Sequence, residues 1–454
     1  MTLIWAKQAL TPEGWLEQVQ VELDIGGRIA AVSPGKPAVG YQVGILLPAA
    51  SNVHSHAFQR AMAGLTERRG SKAKDSFWTW RELMFRFLDQ LTPSHVEAIA
   101  AFVQMEMLEA GYANNTEFHY LHHQPSGQPY DWVGEMAARV VGAAQQSGIG
   151  LTLLPVFYQY GGCDRRPLSP GQVRFGNDLS NFSELYEQSK HALRVLPQDS
   201  RIGLAMHSLR AIDPKDIDPL IVLADGDPIQ MHMAEQIAEV EEVQNALGQR
   251  PVEWMLNNIE LSSQWCLVHC TQILDEETVR LAQTGAVVGL CPITESNLGD
   301  GPFNGERYLE AGGQIGIGSD SNIRISLTEE IRMLEYSQRL RDRRRAVLAS
   351  SDKSTGRRLY DAIVEGGALA SGRDSGKIEV GKLADLVALD DTTIHLEDRK
   401  GDALLDSFIF SGGDHLVSDV WSAGRHLVRQ GMHSSRDLIT SGYRRVIGEL
   451  KTAL

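Results

Sequence analysis

Eight short apolar runs constrain the fold of this 454-residue chain more than any other feature of its sequence. Long stretches with helical periodicity separate the runs, for example residues 96–110 and 326–341. Short strands that alternate with helices predict repeated βα units and a parallel sheet. Eight such units predict an α/β fold, a (β/α)8 barrel of the TIM type. The first predicted strand ends at His56, and the others cover residues 115–120, 151–157, 202–207, 228–232, 265–269, 286–291 and 314–320.

The two ends of the chain carry a different pattern, in which apolar and polar residues alternate. Residues 16–23 alternate as a half-buried strand does, and residues 376–389 have a hairpin-like pattern. We therefore predict one small β-sandwich domain that is formed from both chain ends, residues 1–48 and 371–454. The barrel is predicted to cover residues 49–370.

Composition limits the classes of partner. The chain has 43 Lys and Arg against 58 Asp and Glu, a formal net charge of −15, which argues against nucleic-acid and anionic-membrane partners. No apolar run is long enough to span a membrane and no signal peptide is visible, so we expect a cytoplasmic protein. Cys266 and Cys270 lie in an apolar run and are expected to be buried thiols in a reducing compartment. The sequence is compatible with a homodimer without requiring one.

Histidine and aspartate side chains stand where several predicted strands end. His54 and His56 follow the apolar run 43–47, which we interpret as a buried strand, and residues two apart on a strand share a face. A lone His-x-His pair is weak evidence, but His232 and Asp320 end the fifth and eighth predicted strands. Because active sites of this fold lie at the strand ends, these four residues predict one catalytic zinc site with an open position for water.

Glu235 lies three residues beyond His232, where its carboxylate could face an attacking water. We predict that it takes a proton from water and passes it to a leaving nitrogen; the alternative is a loop Glu that caps the next helix. His269 ends the sixth strand and is predicted to orient the nucleophile, because a fifth ligand would crowd the ion. A second metal would need a bridging ligand, often a modified lysine, at the end of strand four. The only lysine between residues 191 and 232 is Lys215, which lies in a polar loop, so we predict a single metal.

Cationic side chains near the predicted strand ends suggest the charge of the substrate. Arg210 follows His207 after strand four, and Arg81 lies in the segment after strand one. Two guanidiniums in an acidic protein suggest the capture of substrate carboxylate, because Arg pairs with carboxylates in a bidentate manner. Either Arg alone is more often a surface ion-pair partner. Gln59 and Tyr120 could add neutral hydrogen bonds.

Several motifs together carry a family resemblance. They are the His54-x-His56 strand, the His232-x-x-Glu235 step, His269, Asp320 within residues 318–321, and Gly381-Lys382-x-Ala384-Asp385-Leu386 near the C-terminus. In these features the chain resembles the amidohydrolase superfamily over its whole length. Residues 52–64, 76–83, 117–120 and 207–210 are more specific and are similar to the formimidoylglutamate deiminases of histidine degradation.

The resemblance implies hydrolysis of N-formimino-L-glutamate to N-formyl-L-glutamate and ammonia. It also implies one zinc ion per chain, bound by His54, His56, His232 and Asp320. The implied catalytic groups are Glu235, His269 and Asp320. The implied substrate contacts are Gln59, Arg81, Tyr120, His207 and Arg210.

Two other functions stay open at this point. One is a mononuclear deaminase of the same superfamily that acts on guanine or on an S-adenosylhomocysteine-like base, which should offer aromatic stacking and amide contacts instead of two Arg. The other is a non-catalytic scaffold, although such relatives have usually lost metal ligands. Arg324, four residues beyond Asp320, leaves open which cation binds which substrate carboxylate.

Overall fold

The computed structural model of the protein describes residues 2–67 and 77–451. Its strands, in chain order, are β1 (Thr2–Thr11), β2 (Gly14–Leu23), β3 (Ile29–Ser33), β4 (Tyr41–Pro48), β5 (Ala50–Ser55), β6 (Tyr112–His119), β7 (Gly150–Phe157), β8 (Arg201–Ile202), β9 (Leu204–Met206), β10 (Ile229–Met233), β11 (Trp265–His269), β12 (Val287–Leu290), β13 (Gln314–Ile317), β14 (Leu386–Leu389), β15 (Val417–Ser422), β16 (Arg425–Arg429) and β17 (Met432–His433). They form two separate sheets.

Strands β5 to β13 pair in parallel and form a closed barrel. Neighbouring strands follow the order β6-β5-β13-β12-β11-β10-β9-β7, and the pairing of β6 with β7 closes the ring. Strands β8 and β9 are two pieces of the fourth barrel strand, interrupted at Gly203. The (β/α)8 barrel predicted from the alternating pattern is therefore confirmed, and all eight predicted strand positions carry a barrel strand.

The apolar run 43–47 is a buried strand, as predicted. It lies in β4, which pairs with β1 and β14 in the second sheet, and β5 is the short separate strand that carries His54. The position of β4 between two neighbours of its own sheet accounts for its continuous apolar sequence.

Helices cover the outside of the barrel. In chain order they are α1 (Phe77–Leu88), α2 (Pro93–Glu109), α3 (Glu135–Ser147), α4 (Leu179–Ala192), α5 (Ile217–Ala224), α6 (Ile237–Leu247), α7 (Pro251–Asn258), α8 (Asp275–Ala282), α9 (Pro292–Leu298), α10 (Gly305–Glu310), α11 (Leu327–Asp342), α12 (Thr355–Ala370), α13 (Asp402–Phe410) and α14 (Arg436–Lys451). Helix α12 packs closely on the barrel, since a Cβ at Gly366 would lie 2.0 Å from the carbonyl oxygen of Ile315.

The second sheet combines both ends of the chain, as predicted. Its order is β17-β16-β15-β14-β4-β1-β2-β3, so β4 from the N-terminal part pairs with β14 from the C-terminal part. Its apolar side chains form a cluster of their own, which includes Ile4, Val21, Leu386 and Trp421. The boundaries at residues 48 and 370 stay a prediction, because the segment after 371 also contains α13 and α14, which pack on barrel helices.

Buried ion pairs join this sheet to the barrel. Arg373 is almost fully buried, and its guanidinium lies 2.5 Å from Asp385 and 2.9 Å from Asp199. Arg425 of β16 contacts the same Asp199 carboxylate at 2.7 Å. Removing one member of such a network would leave an uncompensated buried charge, so the network holds the sheet in place against the barrel.

Two further expectations concern cysteines and membranes. Cys266 and Cys270 are buried free thiols, as predicted. Within residues 2–67 and 77–451, no helix is both long and apolar enough to cross a bilayer.

Candidate active site

Three imidazoles and one carboxylate converge at the C-terminal end of the barrel. The Nε2 atom of His54 lies 3.2 Å from Nε2 of His56 and 3.1 Å from Nε2 of His232. The Oδ1 atom of Asp320 lies 3.6 Å from His54 Nε2 and 3.3 Å from His56 Nε2. All four residues are buried. The structure thus brings together the four residues that the strand-end pattern predicted as metal ligands.

The other nitrogen of each imidazole faces a hydrogen-bond acceptor. Nδ1 of His56 lies 3.1 Å from the carbonyl oxygen of Phe118, and Nδ1 of His232 lies 3.1 Å from the carbonyl oxygen of His207. Nδ1 of His54 lies 3.1 Å from Oε1 of Gln230, whose amide nitrogen donates to the Val53 carbonyl. Because these oxygens accept, the proton of each ring is on Nδ1.

The three Nε2 atoms therefore present lone pairs to one another. Lone pairs at such distances repel unless a proton or a cation lies between them. Burial, with nearby histidines, holds the pKa of His54 and of His232 well below the ordinary value, and burial lowers the pKa of His56 to about 3. The rings are thus neutral donors, and with the Asp320 carboxylate they form a donor set that fits a zinc-type cation.

The backbone at the strand ends is built for this convergence. Asp320 donates its backbone N–H to the His54 carbonyl at 2.9 Å, and the His56 N–H donates to the Asp320 carbonyl at 2.9 Å. The approach needs a glycine at position 318, where a Cβ would lie 2.8 Å from the backbone oxygen of His54. Asp320 itself has a φ of +45°, in the left-handed region that non-glycine residues rarely adopt. Such conformations cluster at functional sites, where surrounding contacts hold them.

Glu235 and His269 lie beside the ligand cluster. His269 Nε2 is 3.9 Å from Glu235 Oε1 and also 3.9 Å from Asp320 Oδ2. The backbone N–H of Glu235 donates to the Glu239 carboxylate at 2.9 Å. The backbone carbonyl of Glu235 accepts from the Thr271 hydroxyl at 2.8 Å. These bonds fix the turn that follows β10, so that the Glu235 side chain enters the cavity.

The local charges favour a proton-handling pair. Burial raises the pKa of Glu235 to about 7, close to the value that suits a group that both accepts and donates protons near neutrality. Burial opposes the charged form of His269, but the carboxylates of Glu235, Glu295 and Asp320 outweigh it and raise the pKa of His269 to about 10. Burial also raises the pKa of Asp320 to about 6.

All five predicted substrate contacts line one cavity together with three members of the ligand cluster, His56, His232 and Asp320. The amide nitrogen of Gln59 donates to the Tyr120 hydroxyl at 2.8 Å, which places two neutral polar groups next to His56. The same cavity is lined by His56, Gln59, Arg81, Tyr120, His207, Arg210, His232, Glu235, His269 and Asp320. The roles of these residues stay predictions, whereas their common location is observed.

The cationic part of the cavity is buried. Arg210 is only 6% exposed. Burial lowers the pKa of Arg81, and neighbouring Arg210 lowers it further. Burial disfavours the charged form of Arg210 too, but Glu239 and other neighbours raise its pKa above the usual value. Arg324, by contrast, is exposed and pairs with Glu329, and it is not among the residues that line the cavity.

Several cavity residues escaped the sequence analysis. Tyr158 follows β7 directly, and its hydroxyl accepts from Arg81 at 3.1 Å and from the Gln172 amide at 2.7 Å. Its position directly after a strand could have indicated that it faces the cavity. Gln230 does not line the cavity but contacts His54; it is a polar residue inside an apolar strand, two residues before His232, and that pattern could also have indicated it. The other unforeseen lining residues include Trp80, Met84, Phe85, Phe175, Ser208 and Glu239.

Comparisons with known proteins agree with this geometry. A profile of the amidohydrolase family matches residues 45–427, and a profile described as the N-terminal domain of formimidoylglutamate deiminase HutF matches residues 1–41. The chain belongs to the amidohydrolase family. It is 44% identical over 454 residues to the formimidoylglutamate deiminase of Pseudomonas aeruginosa, which covers 99% of this chain and 100% of that protein.

Two further relatives place this amidohydrolase within the family. The crystal structure of an amidohydrolase from Brucella melitensis superposes with a TM-score of 0.95 at 45% identity, covering 99% of this chain and 100% of that one. A 5-methylthioadenosine/S-adenosylhomocysteine deaminase of Natronomonas pharaonis is 27% identical over 402 residues, covering 86% of this chain and 84% of that protein. The amidohydrolase is thus much more similar to the deiminase than to the nucleoside deaminase.

Proposed function

We propose that this amidohydrolase is a formimidoylglutamate deiminase, which hydrolyses N-formimino-L-glutamate to N-formyl-L-glutamate and ammonia in histidine degradation. The observation that carries the proposal is the presence of two guanidiniums, those of the half-buried Arg81 and the buried Arg210, in the cavity beside the three-histidine, one-aspartate cluster. The full-length similarity to the P. aeruginosa deiminase supports the same activity.

The substrate has two carboxylates and one formimino group, and the cavity offers a partner of suitable chemistry for each. Arg81 and Arg210 bind the carboxylates, since guanidinium and carboxylate form short, charge-assisted hydrogen bonds. Tyr158 holds Arg81 through its hydroxyl. Gln59, Tyr120 and His207 contact the formimino group or the chain that joins it to the carboxylates.

We propose zinc as the metal, one ion per chain, held by His54, His56, His232 and Asp320. A bound divalent cation supplies Lewis-acid activation of the attacking water. The single set of four donors supports one ion, and Lys215 cannot bridge a second one, because its side chain is 69% exposed and contacts Asp213.

The protein groups then move the protons of the hydrolysis. Glu235 accepts a proton from the water as its oxygen forms a bond to the formimino carbon. Glu235 next delivers that proton to the terminal nitrogen, which leaves a tetrahedral carbon with one hydroxyl and one amino group. As the carbonyl forms, Glu235 carries the hydroxyl proton to the amino nitrogen, the carbon–nitrogen bond breaks, and ammonia leaves. His269, held cationic by the surrounding carboxylates, stabilises negative charge that develops on the oxygen. The remaining product is the N-formyl amino acid.

Ammonia release tests the proposal against the alternative deaminases. Purified, zinc-loaded enzyme should release ammonia from N-formimino-L-glutamate with kcat/KM at least about 1000-fold above that for guanine or S-adenosylhomocysteine, since neither offers two carboxylates to the arginines. Equal or faster deamination of S-adenosylhomocysteine would overturn the substrate, because the cavity also has aromatic side chains that could stack on a base. No turnover of any of the three would favour the scaffold.

Metal analysis of the same preparation tests the cofactor. We expect one zinc per chain, and loss of activity on chelation that zinc restores. Cytoplasmic location, the lack of a nucleic-acid partner and the homodimer stay predictions from the sequence.

A further inference from the structure

Glu295 contacts the ring of His269 at the nitrogen that does not face Glu235. The distance from its Oε1 atom to His269 Nδ1 is 3.2 Å, while Nε2 of the same ring faces Glu235 and Asp320. Glu295 is 5% exposed and is not among the residues that line the cavity. It therefore reaches the reaction only through the imidazole.

The carboxylate of Glu295 is itself held in place. It lies in the first turn of α9, and its Oε1 atom accepts the backbone N–H of Cys291 at 2.9 Å. His269 has a φ of +74° and Cys270 one of +51°, so the chain at the end of β11 occupies the left-handed region twice in succession. Since this conformation is unfavourable for side chains with a Cβ, contacts of the ring must help to maintain it.

We propose that Glu295 is a positioning residue for His269, which accepts the Nδ1–H of the imidazole and so keeps Nε2 directed at Glu235 and the reacting atoms. The inference rests on the proposed function, because it assigns Glu295 to the same hydrolysis. It follows the general logic of a carboxylate that fixes the orientation and the tautomer of a catalytic imidazole.

One competing explanation uses the same atoms. Ligand atoms of His269, Cys291 and Glu295 all lie within 4.8 Å of one another, a spacing that a metal ion could also bridge. The hydrogen bonds favour positioning, because Glu295 Oε1 already accepts from the Cys291 N–H and contacts His269 Nδ1. Two zinc ions per wild-type chain, falling to one in Glu295→Ala, would overturn the proposal.

Two substitutions separate orientation from charge. In Glu295→Gln the amide must present its oxygen to the Cys291 N–H, so the same oxygen still accepts from His269, and we expect kcat to fall by about 10-fold. Glu295→Ala removes the acceptor, and we expect kcat to fall by about 100-fold or more. In both variants KM should stay within about threefold, because Glu295 does not line the cavity.

A buried glutamate next to the same helix provides the matched control. Glu330 accepts the backbone N–H of Ile293, the second residue of α9, and burial, which disfavours its charged form, raises its pKa well above the ordinary value. The Gln of Glu330→Gln therefore closely resembles the protonated Glu330 side chain, and kcat of this variant should stay within about threefold of wild type. A fall of kcat in Glu330→Gln equal to that in Glu295→Gln would show that the helix, not the contact with His269, matters.

A spectroscopic readout does not need the substrate. Zinc-loaded protein labelled with ¹⁵N-histidine should show a downfield Nδ1 proton that His269→Asn removes and that Glu295→Ala shifts upfield or removes. If His269→Asn is inactive while Glu295→Ala keeps both this signal and a kcat within about threefold of wild type, the positioning role is refuted. If the protein fails to turn over formiminoglutamate, the proposed function fails, and the proton signal still decides whether Glu295 holds the ring.

Discussion

Substitution of Arg210 is the most direct test of how the cavity selects a dicarboxylate. Arg210 is 6% exposed, so a substrate carboxylate that pairs with it is largely removed from water. Loss of one partner of a desolvated charge pair costs about 2–5 kcal/mol. At about 1.4 kcal/mol per factor of ten, Arg210→Ala should lower kcat/KM for N-formimino-L-glutamate by about 30- to 5000-fold.

A double-mutant cycle on enzyme and substrate tests the cause of that loss. N-formimino-2-aminobutyrate lacks the side-chain carboxylate, and N-formimino-4-aminobutyrate lacks the α-carboxylate. Wild-type enzyme should discriminate against both. In Arg210→Ala the discrimination against one of the two truncated substrates should nearly vanish. The reason is that the carboxylate missing from that substrate is the one that paired with Arg210, so its removal costs the variant little. Undiminished discrimination against both truncated substrates would refute the pairing, whatever the loss of activity.

The controls separate binding from stability. Arg210→Lys keeps the positive charge near Glu239 but loses the planar guanidinium, so its kcat/KM should lie between those of wild type and Arg210→Ala. Arg324→Ala removes an exposed guanidinium that pairs with Glu329 outside the cavity lining, and kcat/KM should change by less than about twofold. Melting temperature and zinc content are measured for each variant. A loss in Arg324→Ala as large as that in Arg210→Ala would show that general electrostatics explains the effect.

Three further predictions concern proton transfer, the ligand cluster and Arg81. Glu235→Gln should keep zinc bound but lower kcat by several orders of magnitude, about 10³-fold, and near-normal turnover would exclude Glu235 from proton transfer. Gln230→Leu removes the acceptor of the His54 Nδ1–H, so zinc affinity measured by competition with a chelator should fall by about 10- to 100-fold; unchanged affinity would contradict this role. Tyr158→Phe removes the hydroxyl that accepts from Arg81, and KM should rise by about 3- to 10-fold with kcat less affected; an unchanged KM would contradict that contact.

The sequence was sufficient for the barrel because its signal is local and repeated. Each βα unit carries its own apolar run, and each catalytic-end residue directly follows one. Periodicity alone, however, cannot tell which sheet a buried apolar run joins. The run 43–47 lies in β4, between β1 and β14, and only the pairing of distant segments reveals this.

The residues that were missed act through contacts over long sequence separations. Gln230 and His54 are 176 residues apart, Arg81 and Tyr158 are 77 apart, and His269 and Glu295 are 26 apart. Strand-end position can suggest that a side chain faces the cavity. It cannot tell which partner holds that side chain, because the partner comes from a different unit of the barrel whose position depends on packing.

The charge distribution of the site explains how an acidic protein can bind a dianion. With a net charge of −15 the distant field repels the substrate, so attraction must come from groups at short range. Burial lowers the pKa of Arg81, and the neighbouring guanidinium of Arg210 lowers it further, so two cations in one cavity carry an electrostatic cost. Glu239 offsets this cost for Arg210, and its carboxylate also accepts the backbone N–H of Glu235. Glu239 thereby links the Arg210 guanidinium to the turn that carries Glu235. Replacement of Glu239 by Gln should therefore weaken both substrate binding and turnover, whereas a group that only balanced charge would change KM alone.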